Sequence, residues 1–263
     1  MRRRSVIVQS TLAMTTGFLG VLTASLNETI ARTAEIKVLT SVALSAAFTK
    51  LAPLFEHATG DKLVIGYGLI ADVRKRVLAG EPADVVILSR PVMDELETKK
   101  RIVPGSVVDV AATAVALAVR RGAAKPDISS VAAFKRTLLD ARSVVYADPA
   151  KGGASGVYFA EVLERLGISE QMKPKAVLVP GAEAAEVVAS GKAELGIGQT
   201  SEIVPVAGAE LVGPFPADLG RLTVFSAGTG IASTSSKDAG VLIRFLTAEP
   251  AARVFRARGF EPG

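Results

Sequence analysis

The sequence predicts an α/β fold of two lobes, each a mostly parallel sheet flanked by helices, the lobes joined by two crossing strands. Three observations predict it. From Ile36 onward, short β-branched runs alternate with stretches of helical period. One long apolar run, "SVVDVAATAVALAVRRG", interrupts the alternation about midway. A second strand and helix series follows it, and "RLTVFSAGTGIA" then leads back.

Each element follows from its residues. "IKVLT" is a short strand, and "LSAAFTKLAPLFEHATG" places Leu44, Ala47, Phe48, Leu51, Leu54 and Phe55 on one helical face before Gly60 ends it. Pro53 inside that helix is expected to disturb it. "KLVIGYG" leads to the helix "ADVRKRVLAG", and "ADVVILS" leads to "PVMDELETKKR". This opening βαβαβ series implies right-handed crossovers. The long apolar run reads as a strand crossing to the second lobe, and Ser129 or Ser130 can cap the helix after it. The second lobe contains "SVVYAD", "SGVYFAEVLERLGI", "KAVLVP", "AEAAEVVASG" and "AELGIGQ". The helices "KDAGVLIRFLTA" and "PAARVFRARGF" are expected to pack back on the first lobe. The boundaries drawn are 35–119 for the first lobe, 120–220 for the second and 221–263 for the return.

Composition narrows the function classes. A chain of 263 residues, 49% hydrophobic, has enough apolar surface for a large core. It contains no cysteine, no tryptophan and one histidine, which excludes thiol catalysis, disulfide scaffolds and cysteine-type zinc sites. No metal, nucleotide or other cofactor is expected. The net charge is +5, of which the first 31 residues supply +2. The remaining charge is too mild, and too free of basic stripes, for a nucleic-acid partner.

The first residues, "MRRRSVIVQSTLAMTTGFLGVLTASLNETIARTA", combine a basic start, an apolar middle and small residues near Ala24, Ala31 and Ala34. That is the layout of an export signal covering residues 1–34. Gln9, Ser10, Thr11, Thr15 and Thr16 argue against a membrane span. Arg3-Arg4-Ser5-Val6-Ile7 resembles a twin-arginine signal. An exported chain of this kind reads as periplasmic.

Two α/β lobes enclose a cleft, and ligands of such sheets sit beyond the carboxyl ends of the strands. Helix N-termini meet there, with unpaired N–H groups that suit an anion. Thr40 and Ser41, at the end of the first strand, are therefore candidate ligands to a small anion. Gly68, Leu69 and Ile70 lie at the second helix start, Ala154, Ser155 and Gly156 at another, and Gly181 and Ala182 at a fourth. Arg74, one turn into its helix, can offer a bidentate contact to a carboxylate. Lys151 reads either as a carboxylate partner over the cleft or as a solvated loop residue. Gly152-Gly153 permits close backbone approach to a ligand. Tyr158, in the first turn of its helix, reads either as an acid, base or donor or as a packing residue. His57 ends the first helix on the side away from the cleft, and Glu202 reads as a cap or ion-pair partner.

"EIKVLTSVALSAAFTKLAPLFEHATG", "AGEPADVVILS", "YADPAKGGASGVYFAEVLERLGI" and "GKAELGIGQTSEI" together resemble the periplasmic molybdate-binding proteins, which have the type 2 periplasmic-binding-protein fold and serve ABC importers. The resemblance runs from about Ile36 to Phe260. Its most specific part is "AGEPADVVILS", where Pro82 and Asp84 introduce a strand expected at the edge of the cleft. It implies a monomer that binds oxyanion through Ser41 and the Ser155-Gly156 turn and works with an importer's membrane component. Three positions depart from that family: Leu69 and Ile70 replace a serine-rich turn, and Gln199 stands where the family has its tyrosine. Losing hydroxyl contacts to a charged acceptor costs about 1.5–3 kcal/mol each, which disfavours molybdate. "AVRRGAAKPDISSVAAFKRTL", "SVVYAD", "ASGVYFAEVL" and "LGIGQTSEI" are similar to the bacterial aconitate isomerases, periplasmic enzymes on the same fold, and this block includes Gln199. That likeness implies a small organic carboxylate as ligand, or an isomerase with Tyr158 as its acid/base group.

Overall fold

Alternating burial along the strands sets the architecture. In the computed structural model, which describes residues 33–263, strand β1 (Glu35–Ser41) turns Ile36 and Val38 to one face and Leu39 to the other. A three-residue 3-10 turn, Val42–Leu44, then leads into α1 (Ser45–Thr59). The chain continues through β2 (Lys62–Gly68), α2 (Ile70–Leu78), β3 (Val85–Ser89), α3 (Arg90–Thr98) and the long β4 (Val108–Arg120). After it come α4 (Val131–Asp140), β5 (Val144–Ala147), α5 (Ala154–Arg165), α6 (Ser169–Met172), β6 (Ala176–Val179), α7 (Ala184–Ala189), β7 (Leu195–Gln199) and α8 (Thr200–Ile203). The chain closes with β8 (Ala209–Pro214), β9 (Leu222–Thr229), α9 (Ser236–Leu246), α10 (Glu249–Ala257) and β10 (Glu261–Pro262).

The sheet order is β2-β1-β3-β9-β4-β7-β5-β6, with β8 and β10 also paired to β4. β1 is parallel to β2 and β3, and β5 is parallel to β6 and β7. The two half-sheets thus repeat one winding. β4 serves both, pairing antiparallel with β9 through residues 108–114 and with β7 through residues 115–119. Strand β8, antiparallel to β4, was not among the elements expected from the sequence.

Each half-sheet is covered on both faces. Val38, Val85 and Ile87 pack under Phe48, Leu51 and Phe55 of α1 and under Leu242 and Phe255 of α9 and α10. Leu39, Val86 and Leu88 face Val73, Val77 and Met93 of α2 and α3. In the other half, Val115, Leu117 and Tyr146 pack on Phe134 and Phe159, while Ala116 and Ala118 meet Ala185 and Ile203. Full burial of a phenylalanine such as Phe55 contributes about 2 kcal/mol, so these faces supply the main drive to fold.

Several expectations change. α1 continues through Pro53, but Leu54 is 48% exposed, so the buried stripe is Ala47, Phe48, Leu51 and Phe55. Ser130, not Ser129, caps α4, its Oγ accepting the Ala133 N–H at 3.1 Å. Asp84 stands at the amino end of β3, opposite the strand ends that form the cleft. It accepts the Lys37 N–H at 2.9 Å and the Ser233 hydroxyl at 2.7 Å, so it is a structural tie. The export-signal reading falls outside the described residues, apart from Thr33 and Ala34. No described helix is long and apolar enough to cross a membrane.

Candidate functional site

Where parallel strands end, the chain must turn, and here the turns of both half-sheets meet. Ser41 ends β1, Leu69 and Ile70 follow β2, Ala147 ends β5, Gly181 and Ala182 follow β6, and Gln199 ends β7. Together with Gly153, Ala154 and Ser155 at the start of α5, Glu202 of α8 and Phe225 of β9, they line one narrow cavity.

The donors come mainly from backbone. Leu69 at the N-terminus of α2 and Gly153 at that of α5 provide no side-chain cap, so the first N–H groups of both helices are left for another acceptor. Ser41, 3% exposed, accepts the Ala43 N–H at 3.3 Å through its Oγ, which keeps the hydroxyl hydrogen for donation. Ser155 is buried in the same wall. Among the described residues no arginine or lysine lines the cavity, and Glu202 is its only ionisable group. An anion held here is neutralised by helix dipoles and hydrogen bonds.

Gln199 and Glu202 form one unit. The Gln199 N–H donates to Glu202 Oε2 at 2.9 Å, which satisfies a first-turn requirement of α8. The Gln199 side chain, 1% exposed, donates from Nε2 to Thr223 Oγ1 at 3.2 Å and leaves Oε1 without a partner. Rotating the amide keeps the Thr223 bond, with the hydroxyl now donating, and frees the NH2 for an acceptor ligand. Burial pushes the Glu202 carboxyl up to about 7, and the acidic Glu186 and Glu183 add to the shift.

Ser41, Leu69, Ile70, Ala154, Ser155, Gly181, Ala182 and Gln199 meet around one cavity. The other candidates do not line it. Thr40 is fully buried and donates to the Ile87 carbonyl at 3.1 Å, tying β1 to β3. Gly68 packs against Val73, whose Cγ2 would lie 3.0 Å from an added Cβ. Arg74 is held by Glu95 in a two-pronged pair, Nε and Nη2 at 2.7 and 2.6 Å, and that pair holds the Glu95 carboxyl below the usual carboxylate range. Lys151 is exposed. Gly156 packs α5 onto β5, where a Cβ would come within 2.0 Å of the Ala147 carbonyl oxygen.

Tyr158 is buried, lines a neighbouring cavity of about 230 Å³, and donates its hydroxyl to the Leu219 carbonyl at 3.0 Å. Arg221 sits over its ring, 4.9 Å from the centroid, and pairs with Glu161 at 3.2 Å. The two cavities share Ile70 and Ala154. His57 is exposed near the end of α1. Phe225 and Ala147 had no local signal in the sequence. Glu202 had one, its spacing three residues after Gln199, which reads as a cap and conceals its place in the cavity wall.

A family model described as bacterial extracellular solute-binding protein matches residues 36–261, nearly all of the described chain. The chain belongs to that family. Among the relatives of this solute-binding protein is the aconitate isomerase of a Pseudomonas species, 35% identical over 233 residues that cover 86% of this chain and 87% of the relative. The molybdate-binding protein ModA of Escherichia coli is 24% identical over 231 residues, covering 86% of this chain and 88% of the relative. Among solved structures, the periplasmic molybdate-binding protein of Azotobacter vinelandii superposes with a TM-score of 0.71 at 22% identity, covering 86% of this chain and 98% of the other. The substrate-binding domain of a molybdenum ABC transporter of Clostridium difficile gives 0.70 at 20% identity, covering 87% and 99%. These structures show the fold. The solute-binding protein thus shares the fold of the molybdate-binding proteins and is similar in sequence to an aconitate isomerase.

Proposed function

We propose that this chain is a monomeric periplasmic receptor that captures a small organic carboxylate between its two half-sheets and delivers it to the membrane component of an ABC importer. The half-sheets act as lobes, and the crossings at β4 and β9 serve as the hinge. Closure brings the N-terminus of α2 from one lobe and that of α5 from the other onto one ligand, so contacts to both stabilise the closed state.

The composition of the cavity wall carries this reading. Its polar part is Ser41, Ser155, Gln199, Glu202 and backbone N–H groups, and its apolar part includes Leu69, Ile70, Ala147, Ala182 and Phe225. A carboxylate on a short carbon skeleton presents acceptor oxygens to the first set and C–H surface to the second. A tetrahedral metal oxyanion has only oxygens and would leave the apolar wall facing a charged, strongly hydrated ion.

A thermal-shift screen of the processed protein against molybdate, tungstate, sulfate, citrate and both aconitates tests the reading, since a ligand of the native state raises the melting temperature. Stabilisation by organic acids is expected. A shift with molybdate or tungstate alone would refute it.

The 35% identity to an aconitate isomerase favours a second reading, an enzyme that interconverts trans- and cis-aconitate. That reaction removes a proton from the methylene carbon and returns one to the other allylic carbon while the double bond shifts. Proton NMR of trans-aconitate incubated with the protein in D2O tests it. New cis resonances with deuterium at the allylic positions would support the enzyme reading, and an unchanged spectrum would leave the receptor alone.

A further inference from the structure

Glu202 borders the cavity, and the binding scheme above makes no use of it. Its Oε2 is fixed by the Gln199 N–H at 2.9 Å, and an added Cβ on Gly198 would lie only 3.2 Å from the same oxygen. The carboxyl is therefore pinned against the end of β7, beside the buried Gln199 amide with its unpaired Oε1. The charged groups acting on it are Glu186 and Glu183 of the facing helix α7, both acidic. Among the described residues, the others lining the two cavities it borders, including those of the Val42–Leu44 turn and β7, carry no charge.

An ionised carboxyl in this place would meet an anionic ligand as a second anion. A ligand carboxylate brings only acceptor oxygens. The protonated form of Glu202 turns that repulsion into a hydrogen bond in which one partner is charged. The geometry points to Glu202 as a ligand-contacting residue that is protonated in the complex and donates its O–H to a carboxylate oxygen of the bound acid, so that capture takes up a proton from solution. This inference rests on the organic-acid reading. The raised affinity of the Glu202 carboxyl for protons, half-titrated at about pH 7, supports it.

The consequence is a ligand affinity that depends on pH. Below about pH 7 the proton is already in place; above it, each unit of pH weakens binding by about tenfold, because the complex must draw the proton from a more dilute supply. Ordinary carboxylic acids are fully ionised at pH 8, so the ligand brings no proton of its own and any proton gained on binding comes from solution.

Isothermal titration of the protein with trans-aconitate at pH 8, in HEPES and in Tris, tests this. The expected result is a difference in apparent enthalpy that corresponds to uptake of about one proton, with a dissociation constant rising through pH 7 to 9. Glu202→Gln keeps the acceptor for the Gln199 N–H but has no proton to exchange, so it loses the uptake whatever its affinity. Should that variant fail to fold, an infrared difference spectrum of the parent reads the same event as a protonated-carboxyl band appearing on binding. Binding with equal enthalpies in both buffers, or uptake that persists in Glu202→Gln, would overturn the role of Glu202 and leave the organic-acid reading intact. Absence of binding by trans-aconitate, citrate and other small organic acids would overturn both.

Discussion

Gln199 Nε2 donates to Thr223 Oγ1 at 3.2 Å, joining the end of β7 to β9 across the strand β4 that both flank. The same amide stands in the cavity wall with its second polar atom unpaired. With the amide rotated, so that the Thr223 hydroxyl donates to Oε1 and the NH2 faces the cavity, a ligand acceptor completes it. Gln199→Ala removes that contact, and a hydrogen bond to a charged acceptor is worth about 1.5–3 kcal/mol. Titration calorimetry is expected to show affinity for the organic acid reduced by about 10- to 100-fold, with the circular dichroism spectrum retained.

Gly152 has φ of 76°, and an added Cβ would lie 2.7 Å from Cβ of Ala71 on α2. The loop before α5 therefore touches the first half-sheet closely at this point. Gly152→Val combines backbone strain with a bulky group at that contact and is expected to hold the cleft open. Small-angle scattering with saturating ligand should show no contraction in the variant where the parent contracts, and its affinity should fall. Equal contraction in both would show that closure does not depend on this approach.

Gly156→Ala tests packing. The new Cβ would lie 2.0 Å from the Ala147 carbonyl oxygen, a distance that only a shift of α5 relieves. Overpacking of this kind costs about 1–3 kcal/mol, or a melting temperature lower by roughly 2–9 °C for a chain of this size. Scanning calorimetry measures it directly.

Arg74→Ala and Tyr158→Phe are expected to leave the ligand-induced rise in melting temperature intact. The Arg74 guanidinium is spent on Glu95, and the Tyr158 hydroxyl on the Leu219 carbonyl. Tyr158→Phe lowers the melting temperature of the free protein slightly, because the loss of one hydrogen bond is worth about 1 kcal/mol. Loss of ligand response in either variant would move the site toward the neighbouring cavity.

The pH dependence of stability follows from Glu202. Its carboxyl rises from 4.5 to about 7 on folding, so the native state binds the proton more tightly than the unfolded chain. The resulting stabilisation is present in full below about pH 4.5 and is lost as the pH rises through about 7. The difference amounts to up to about 3 kcal/mol. Glu56, Glu81 and Glu194, each held below the usual range chiefly by its hydrogen bonds, act in the opposite sense, and their contribution is lost only in more acidic solution. Melting curves of ligand-free protein between pH 5 and 8.5 should therefore fall for the parent, while Glu202→Gln removes most of that fall.

The order of strands and helices was legible because burial leaves a periodic trace. Val85 and Ile87 face one way and Val86 and Leu88 the other, and the stripe of Phe48, Leu51 and Phe55 repeats at helical spacing. The strand ends were equally readable, and with them Ser41, Ser155 and Gln199 as wall residues. Reading went astray where a side chain had two physical outlets. Arg74 has the right charge and place for a carboxylate ligand, but Glu95 on the next helix takes it, and 21 residues of sequence separation conceal that choice.

By itself the sequence determined the alternation of strand and helix, the absence of thiol chemistry, and the turns at which helix N-termini collect, because period, composition and capping are local properties. Tertiary structure alone decided which turns share one cavity, that Tyr158 belongs to the neighbouring one, and that Glu202 lies in the cavity wall with no counter-charge among the described residues. The physical reason is that a carboxyl's proton affinity and a tyrosine's partner depend on groups brought near by folding, and those distances have no periodic trace in the chain.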